Sequence, residues 1–135
     1  MKLEHVAIWT DQLEHLREYY CKYYGGKSNT KYHNKKKQFY SYFLSFESGA
    51  RLELMTMPNI PKNQNDRVNK QHKGIIHLAF GAKNKEEVDA KAIQLKEDGY
   101  KILSGPRMTG DGYYELETLD PDENRIEVTT TDTQV

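Results

Sequence analysis

Hydrophobic and polar positions along the chain fall into two stretches that follow the same order. Each opens on a short, mostly apolar run, Leu3 to Trp9 in the first and Gly74 to Phe80 in the second, which predicts a strand. A helix is expected after both. In the first stretch Asp11 and Glu14 have the spacing of a capping pair, Leu13, Leu16, Tyr20 and Tyr23 recur at helical spacing, and Gly25-Gly26 ends the run. In the second, Asn84 with Glu87 opens a helix whose Val88, Ala92 and Leu95 share a face, and Gly99 closes it.

Segments rich in Tyr, Phe, Ile, Leu and Thr follow each helix and read as strands. The first stretch offers Lys27 to Tyr32, Gln38 to Phe46 and Ala50 to Thr56, with Glu47-Ser48-Gly49 as the hairpin turn. The second offers Tyr100 to Leu103, Tyr113 to Leu119 and Arg125 to Thr130, with residues 120–124 as the turn. Both are therefore βαβββ modules. Pro58 to Lys73, with few apolar residues, is expected to be a linker or a mobile flap. A module of about 60 residues buries little surface alone, so the expected fold is α+β, one domain over 1–135. Module 1 spans about 1–57, the linker about 58–73 and module 2 about 74–131, with the helices covering a curved mixed sheet whose other face forms a cleft.

Composition narrows the partners. The 20 Lys and Arg balance 20 Asp and Glu, which leaves no bulk field to recruit nucleic acid or an anionic membrane. A mean hydropathy of −0.92 looks too polar for a core, but ten Tyr and four Phe carry large apolar bodies that can be buried. No run approaches the length of a membrane span and the N-terminus lacks the apolar core of a secretory signal, so the chain is expected in the cytoplasm. The lone Cys21 has no internal disulfide partner and is expected as a small packed residue on the first helix.

Strand alternation also singles out polar residues inside apolar segments. His5 adjoins Val6, Glu53 lies between Leu52 and Leu54, His77 between Ile76 and Leu78, and Glu127 between Ile126 and Val128, and these apolar neighbours would face the helices. These four are thereby turned toward the cleft. They follow the repeat: His5 and His77 stand on the first strand of each module, 72 residues apart, and Glu53 and Glu127 on the last, 74 apart. Arg51-Leu52-Glu53-Leu54 matches Arg125-Ile126-Glu127-Val128. Imidazole nitrogen and carboxylate oxygen together favour Zn, Ni, Co, Mn or Fe(II), and two carboxylates neutralise a divalent ion.

These motifs resemble the vicinal oxygen chelate superfamily, which includes glyoxalase I, fosfomycin-resistance proteins, methylmalonyl-CoA epimerase, extradiol dioxygenases and bleomycin-binding proteins. The resemblance rests on Leu3-Glu4-His5-Val6-Ala7-Ile8, Leu52-Glu53-Leu54, residues 74–80 and residues 120–127, the last similar to a DPDGN-x-IE ending with Glu123 where Gly is usual. The His, Glu, His, Glu order is similar to glyoxalase I. It implies a metal-dependent lyase or isomerase that moves a proton next to a carbonyl, with a divalent ion (Zn, Ni, Co or Mn) on His5, Glu53, His77 and Glu127. Glu127 or Glu53 would be the catalytic base. It also implies a small-molecule substrate and a homodimer. In bacterial glyoxalase I an Arg and an Asn hold the glutathione tripeptide; Trp9 and Met57 stand at the corresponding places, which suits a smaller or more apolar substrate. Arg107 could meet an anionic substrate group and Tyr113 could form a rim. The alternatives are another metalloenzyme of the superfamily, such as a fosfomycin-type thiol transferase or an epimerase, and a small-molecule binding or resistance protein without catalysis. Lys35-Lys36-Lys37 reads as a solvated loop, and His15, His33 and His72 as surface residues.

Overall fold

The computed structural model describes residues 1–131, and the chain divides into two compact units, Met1–Gln64 and a second beginning at Asn65. The first unit contains β1 (His5–Trp9), α1 (Leu13–Tyr24), β2 (Lys27–Ser28), β3 (Tyr32–Asn34), β4 (Phe39–Ser45) and β5 (Arg51–Thr56). The second contains β6 (His77–Gly81), α2 (Lys85–Glu97), β7 (Ile102–Met108), β8 (Tyr114–Leu119) and β9 (Arg125–Thr130). The fold is α+β with two mixed sheets, ordered β1-β5-β4-β2 with β3 beside β4, and β6-β9-β8-β7. In each unit the first and last strands run parallel and the remaining pairs are antiparallel.

The parallel pairing follows from topology. A helix connects the first strand to the rest of its unit, and that crossover returns the last strand alongside the first in the same direction. Alternation then sorts the side chains. In the first unit Leu13, Leu16, Tyr19, Tyr20 and Tyr23 of α1 are buried, as are Tyr42, Leu44, Leu52 and Leu54 of β4 and β5. In the second, Val88, Ala92 and Leu95 of α2 are buried, as are Leu116, Ile126 and Val128. The tyrosines do join the core. Tyr42 is buried, and its hydroxyl donates toward both Glu14 carboxylate oxygens at 3.0 Å.

Several boundaries differ from the sequence expectation, each for a local reason. Gln12, not Asp11, is the N-cap of α1 and makes no side-chain cap bond. Buried Thr10 sets that corner: its Oγ1 accepts from Gln12 N at 2.9 Å while its N–H donates to the Met55 carbonyl. Asn84 does cap α2, accepting from Glu87 N, and Glu87 reaches back to Lys83 N at 2.6 Å. The strand expected over Lys27 to Tyr32 is split, because Asn29 bonds Phe43 through both backbone N–H and side-chain oxygen and so replaces the ladder there. His33, exposed as expected, lies in β3 and stacks on Tyr40 with centroids 4.1 Å apart. Strand β7 runs on past the expected end at Leu103 and through Gly105-Pro106; its register on β8 shifts between Ile102 and Ser104 and again between Ser104 and Arg107, the second shift spanning that pair.

The expected linker is tied to the second unit's last hairpin. Arg67 Nη1 donates to Asn124 Oδ1 at 2.5 Å and Nη2 to the Asp122 carbonyl at 2.8 Å, while Arg125 Nη2 donates to the Arg67 carbonyl. Within the hairpin, buried Asp120 accepts from Asp122 N, Asn124 N and Asn124 Nδ2. Glu123 adopts φ +63° there. That left-handed backbone explains why Gly is the usual residue at this place in the motif.

Candidate functional site

In the first unit, β1 and β5 run side by side with Ala7 opposite Glu53, His5 opposite Arg51 and Trp9 opposite Met55. His5, Trp9 and Glu53 therefore share the sheet face opposite α1. His5 Nε2 lies 3.7 Å from Glu53 Oε1, and the Glu53 side chain is only 15% exposed. The other imidazole nitrogen is 3.5 Å from Glu4. Glu4 is paired with Arg51, whose guanidinium holds that carboxyl below its usual range, and Arg51 also lies over the Phe43 ring at 4.2 Å. Phe43 meets the His5 ring edge-on at 5.2 Å. The imidazole is thus oriented from several sides.

The second unit repeats the arrangement. Ala79 is opposite Glu127, and His77 Nε2 lies 3.2 Å from Glu127 Oε2. Its surroundings are more acidic. Glu117 stands opposite Glu127 on β8 and Glu115 opposite Thr129, so three carboxylates share that face. Burial pushes the Glu127 pKa above its ordinary 4.5, with Glu115 and Glu117 adding to the rise and His77 opposing it. Arg125 Nε and Thr129 Oγ1, on the same face of β9, are buried without a protein partner among the described residues.

Each pair has the chemistry and spacing of a two-donor chelate. Bonds of about 2.0–2.2 Å to nitrogen and oxygen set adjacent donors about 3.0–3.4 Å apart at octahedral to tetrahedral angles. The 3.2 Å pair meets that span and the 3.7 Å pair needs a small side-chain rotation. Among the described residues no group of three or more His, Cys, Asp or Glu forms a metal site by itself. Two donors are what each unit brings together.

The remaining expected site residues are placed as follows. Trp9, 41% exposed, meets Phe39 edge-on at 5.9 Å on the His5 face. Met57 lines a pocket with Tyr40 and Thr56. Arg107 stands opposite Glu115 but its Nε donates to Ser104 Oγ at 2.9 Å. Tyr113 is 39% exposed in the turn before β8, its N–H donating to Thr109 Oγ1. Sequence reasoning missed Glu117 and gave Glu115 no role. The Glu-Leu-Glu alternation of β8 was the available signal, because it turns both carboxylates away from the buried Leu116.

Comparison with known proteins agrees with this architecture. Residues 2–128 match the family model described as the Glyoxalase/Bleomycin resistance protein/Dioxygenase superfamily. The trypanothione-dependent glyoxalase I of Leishmania major superposes with a TM-score of 0.74 at 18% identity, covering 97% of this chain and 87% of that one. A glyoxalase family protein of Bacillus cereus reaches 0.78 at 12% identity, covering 96% and 93%. At such identities the likeness is one of fold. The uncharacterized protein YqjT of Bacillus subtilis strain 168 is 38% identical over 58 residues, 41% of this chain, and the match spans 45% of that protein. No helix among the described residues is long and apolar enough to cross a membrane.

Proposed function

The chain belongs to the Glyoxalase/Bleomycin resistance protein/Dioxygenase superfamily, whose members often bind divalent metals, and from that membership we propose that it is a metal-dependent, glyoxalase I-like lyase or isomerase. One observation carries the reading. A His–Glu pair is built twice, on the parallel first and last strands of both units, at 3.7 and 3.2 Å.

In this proposal His5, Glu53, His77 and Glu127 hold a divalent ion, Zn, Ni, Co or Mn. The ion, when bound, supplies Lewis-acid polarisation of a substrate carbonyl oxygen. Glu127 or Glu53 accepts the proton from the carbon next to that carbonyl and returns it to the neighbouring carbon. Phe43 and Arg51 keep the His5 ring in place during the transfer. The substrate class is the adduct of a 2-oxoaldehyde with a low-molecular-weight thiol, and Trp9 offers it an apolar wall.

The test is metal analysis of the full-length protein after reconstitution, followed by assays on methylglyoxal adducts of glutathione and of other small thiols. Bound ion is expected, and His5→Ala and His77→Ala should each lower occupancy. Glu127→Gln should cut turnover by about 100-fold or more. No bound divalent ion after reconstitution overturns the enzymatic reading and leaves small-molecule binding. Turnover by Glu127→Gln equal to that of wild type removes Glu127 as the base.

A further inference from the structure

The first unit carries a pocket of about 380 Å³ that the proposed reaction does not use, lined by Asp11, Gln38, Tyr40, Thr56, Met57 and Pro58. Tyr40 and Thr56 are opposite each other across β4 and β5, in phase with Tyr42–Leu54 and Leu44–Leu52. Those pairs carry the buried side chains of the α1 side. The pocket therefore opens on the sheet face opposite the one bearing His5 and Glu53. It is an open hollow, with Asp11, Gln38 and Pro58 exposed, so a ligand in it would keep part of its surface in water.

Its walls are fixed by backbone bonds rather than by side chains turned into it. The corner before α1 is held by Thr10, through its Oγ1 and its N–H. The turn before β4 is closed by Gln38 N–H to the Lys35 carbonyl, with Gln38 at φ +52°, a left-handed backbone seldom taken by a residue with this side chain. Among the described residues the Asp11 carboxylate, the Gln38 amide and the Thr56 hydroxyl make no side-chain hydrogen bond or ion pair. Met57 and Pro58 supply apolar surface. Asp11 is the one formal charge of the lining. Lys31, over the Tyr40 ring, has its charge matched by Glu14 at 2.8 Å. The lysines at 35–37 are exposed and outside the lining, where solvent and salt screen them.

We propose that this pocket binds a small organic ammonium compound, its protonated amine on the Asp11 carboxylate, its apolar body against Met57 and Pro58, and a hydroxyl or carbonyl toward Gln38 and Thr56. The combination of one carboxylate with neutral donors and acceptors selects cation over anion, and the apolar wall selects an organic cation over a hydrated metal ion.

The experiment is a backbone amide NMR titration of the full chain with three compounds of matched length: 4-amino-1-butanol, 1,4-butanediol and 4-hydroxybutyrate, each also run at raised salt. The amino alcohol is expected to shift the amides of Thr10 to Gln12, Gln38, Thr56 and Met57 in a saturable way, and to do so more weakly as salt rises. Asp11→Asn, at an exposed position, should keep the spectrum of the folded protein and weaken the amine about twofold to fivefold. Equal binding of the diol or the hydroxy acid, shifts confined to other residues, no saturable shift, or an Asp11→Asn variant that binds as well as wild type each overturns the proposal. None of these readouts depends on the His–Glu pairs, so this site and the proposed enzymatic reading fail independently.

Discussion

Replacing Gly105 by Ala tests how closely β7 and β8 approach beside the carboxylate-bearing face. Gly105 has φ +81°, and a Cβ built on it would lie 2.4 Å from the Glu115 carbonyl oxygen and 3.2 Å from Leu116 Cα. Two costs combine. Holding a residue with a side chain in the left-handed region costs about 1–2 kcal/mol. Forcing an extra methyl against backbone that cannot rotate away costs about 1–3 kcal/mol more, for a total of roughly 2–5 kcal/mol. Gly112 supplies the control, since its φ is +92° but nothing lies within 4 Å of its Cβ position. Gly112→Ala should therefore show the backbone cost alone, about 1–2 kcal/mol. Urea denaturation at matched conditions separates the two. With a slope of about 1.5 kcal/mol/M, Gly105→Ala should lower the midpoint by roughly 1.3–3.3 M and Gly112→Ala by about 1 M. Equal midpoints for the two variants would refute the close approach of Gly105 to the Glu115 backbone.

Two further predictions concern the second unit. Glu123→Gly relieves the φ +63° backbone in the β8–β9 turn and should stabilise the chain by up to about 1 kcal/mol, read as a higher urea midpoint; a lower midpoint would show that the Glu123 side chain contributes more than its backbone costs. Glu127 has its pKa raised in the folded state by burial, then by Glu115 and Glu117. Its ionisation therefore costs stability as pH climbs through the folded pKa, and this cost is absent below the ordinary value of 4.5. In metal-free protein Glu127→Gln should melt at the wild-type temperature near about pH 4 and above it at neutral pH. A melting difference independent of pH would exclude burial of the charge as its cause.

How much of this was legible in the sequence varied with how local the cause is. The paired strands carrying His5, Glu53, His77 and Glu127 were readable because apolar residues adjoin each of the four, and the structure buries Leu52, Leu54, Ile126 and Val128 and half-buries Val6, Ile8, Leu78 and Phe80. The α2 start was readable because Asn84 caps it through a contact three residues away. The α1 start was not, because the Thr10 N–H that fixes its corner is held by Met55 on a distant strand. The break at Asn29 and the passage of β7 through Gly105-Pro106 depend on partners in β4 and β8 in the same way. Glu115 and Glu117 look like ordinary solvent-facing positions until the register sets Glu117 opposite Glu127. The Asp11 pocket gathers residues from three separate turns, and no spacing along the chain announces it.

The parallel closure of each unit also dictates when its donor pair comes into being. His5 and Glu53 are 48 residues apart and His77 and Glu127 are 50, so neither pair exists until the whole intervening chain has been threaded through its helix and hairpin. Bringing such ends together costs about 3.5 kcal/mol in loop entropy, and the strand pairing that rewards it is non-local. Each His–Glu pair thus depends on the long-range closure of its unit, and a chain that has not closed its parallel strand pair holds the two side chains apart. An ion that binds only the finished unit adds its binding energy to folding, about 2.7 kcal/mol at a hundredfold excess over Kd. Loading would then act as a latch on the completed fold.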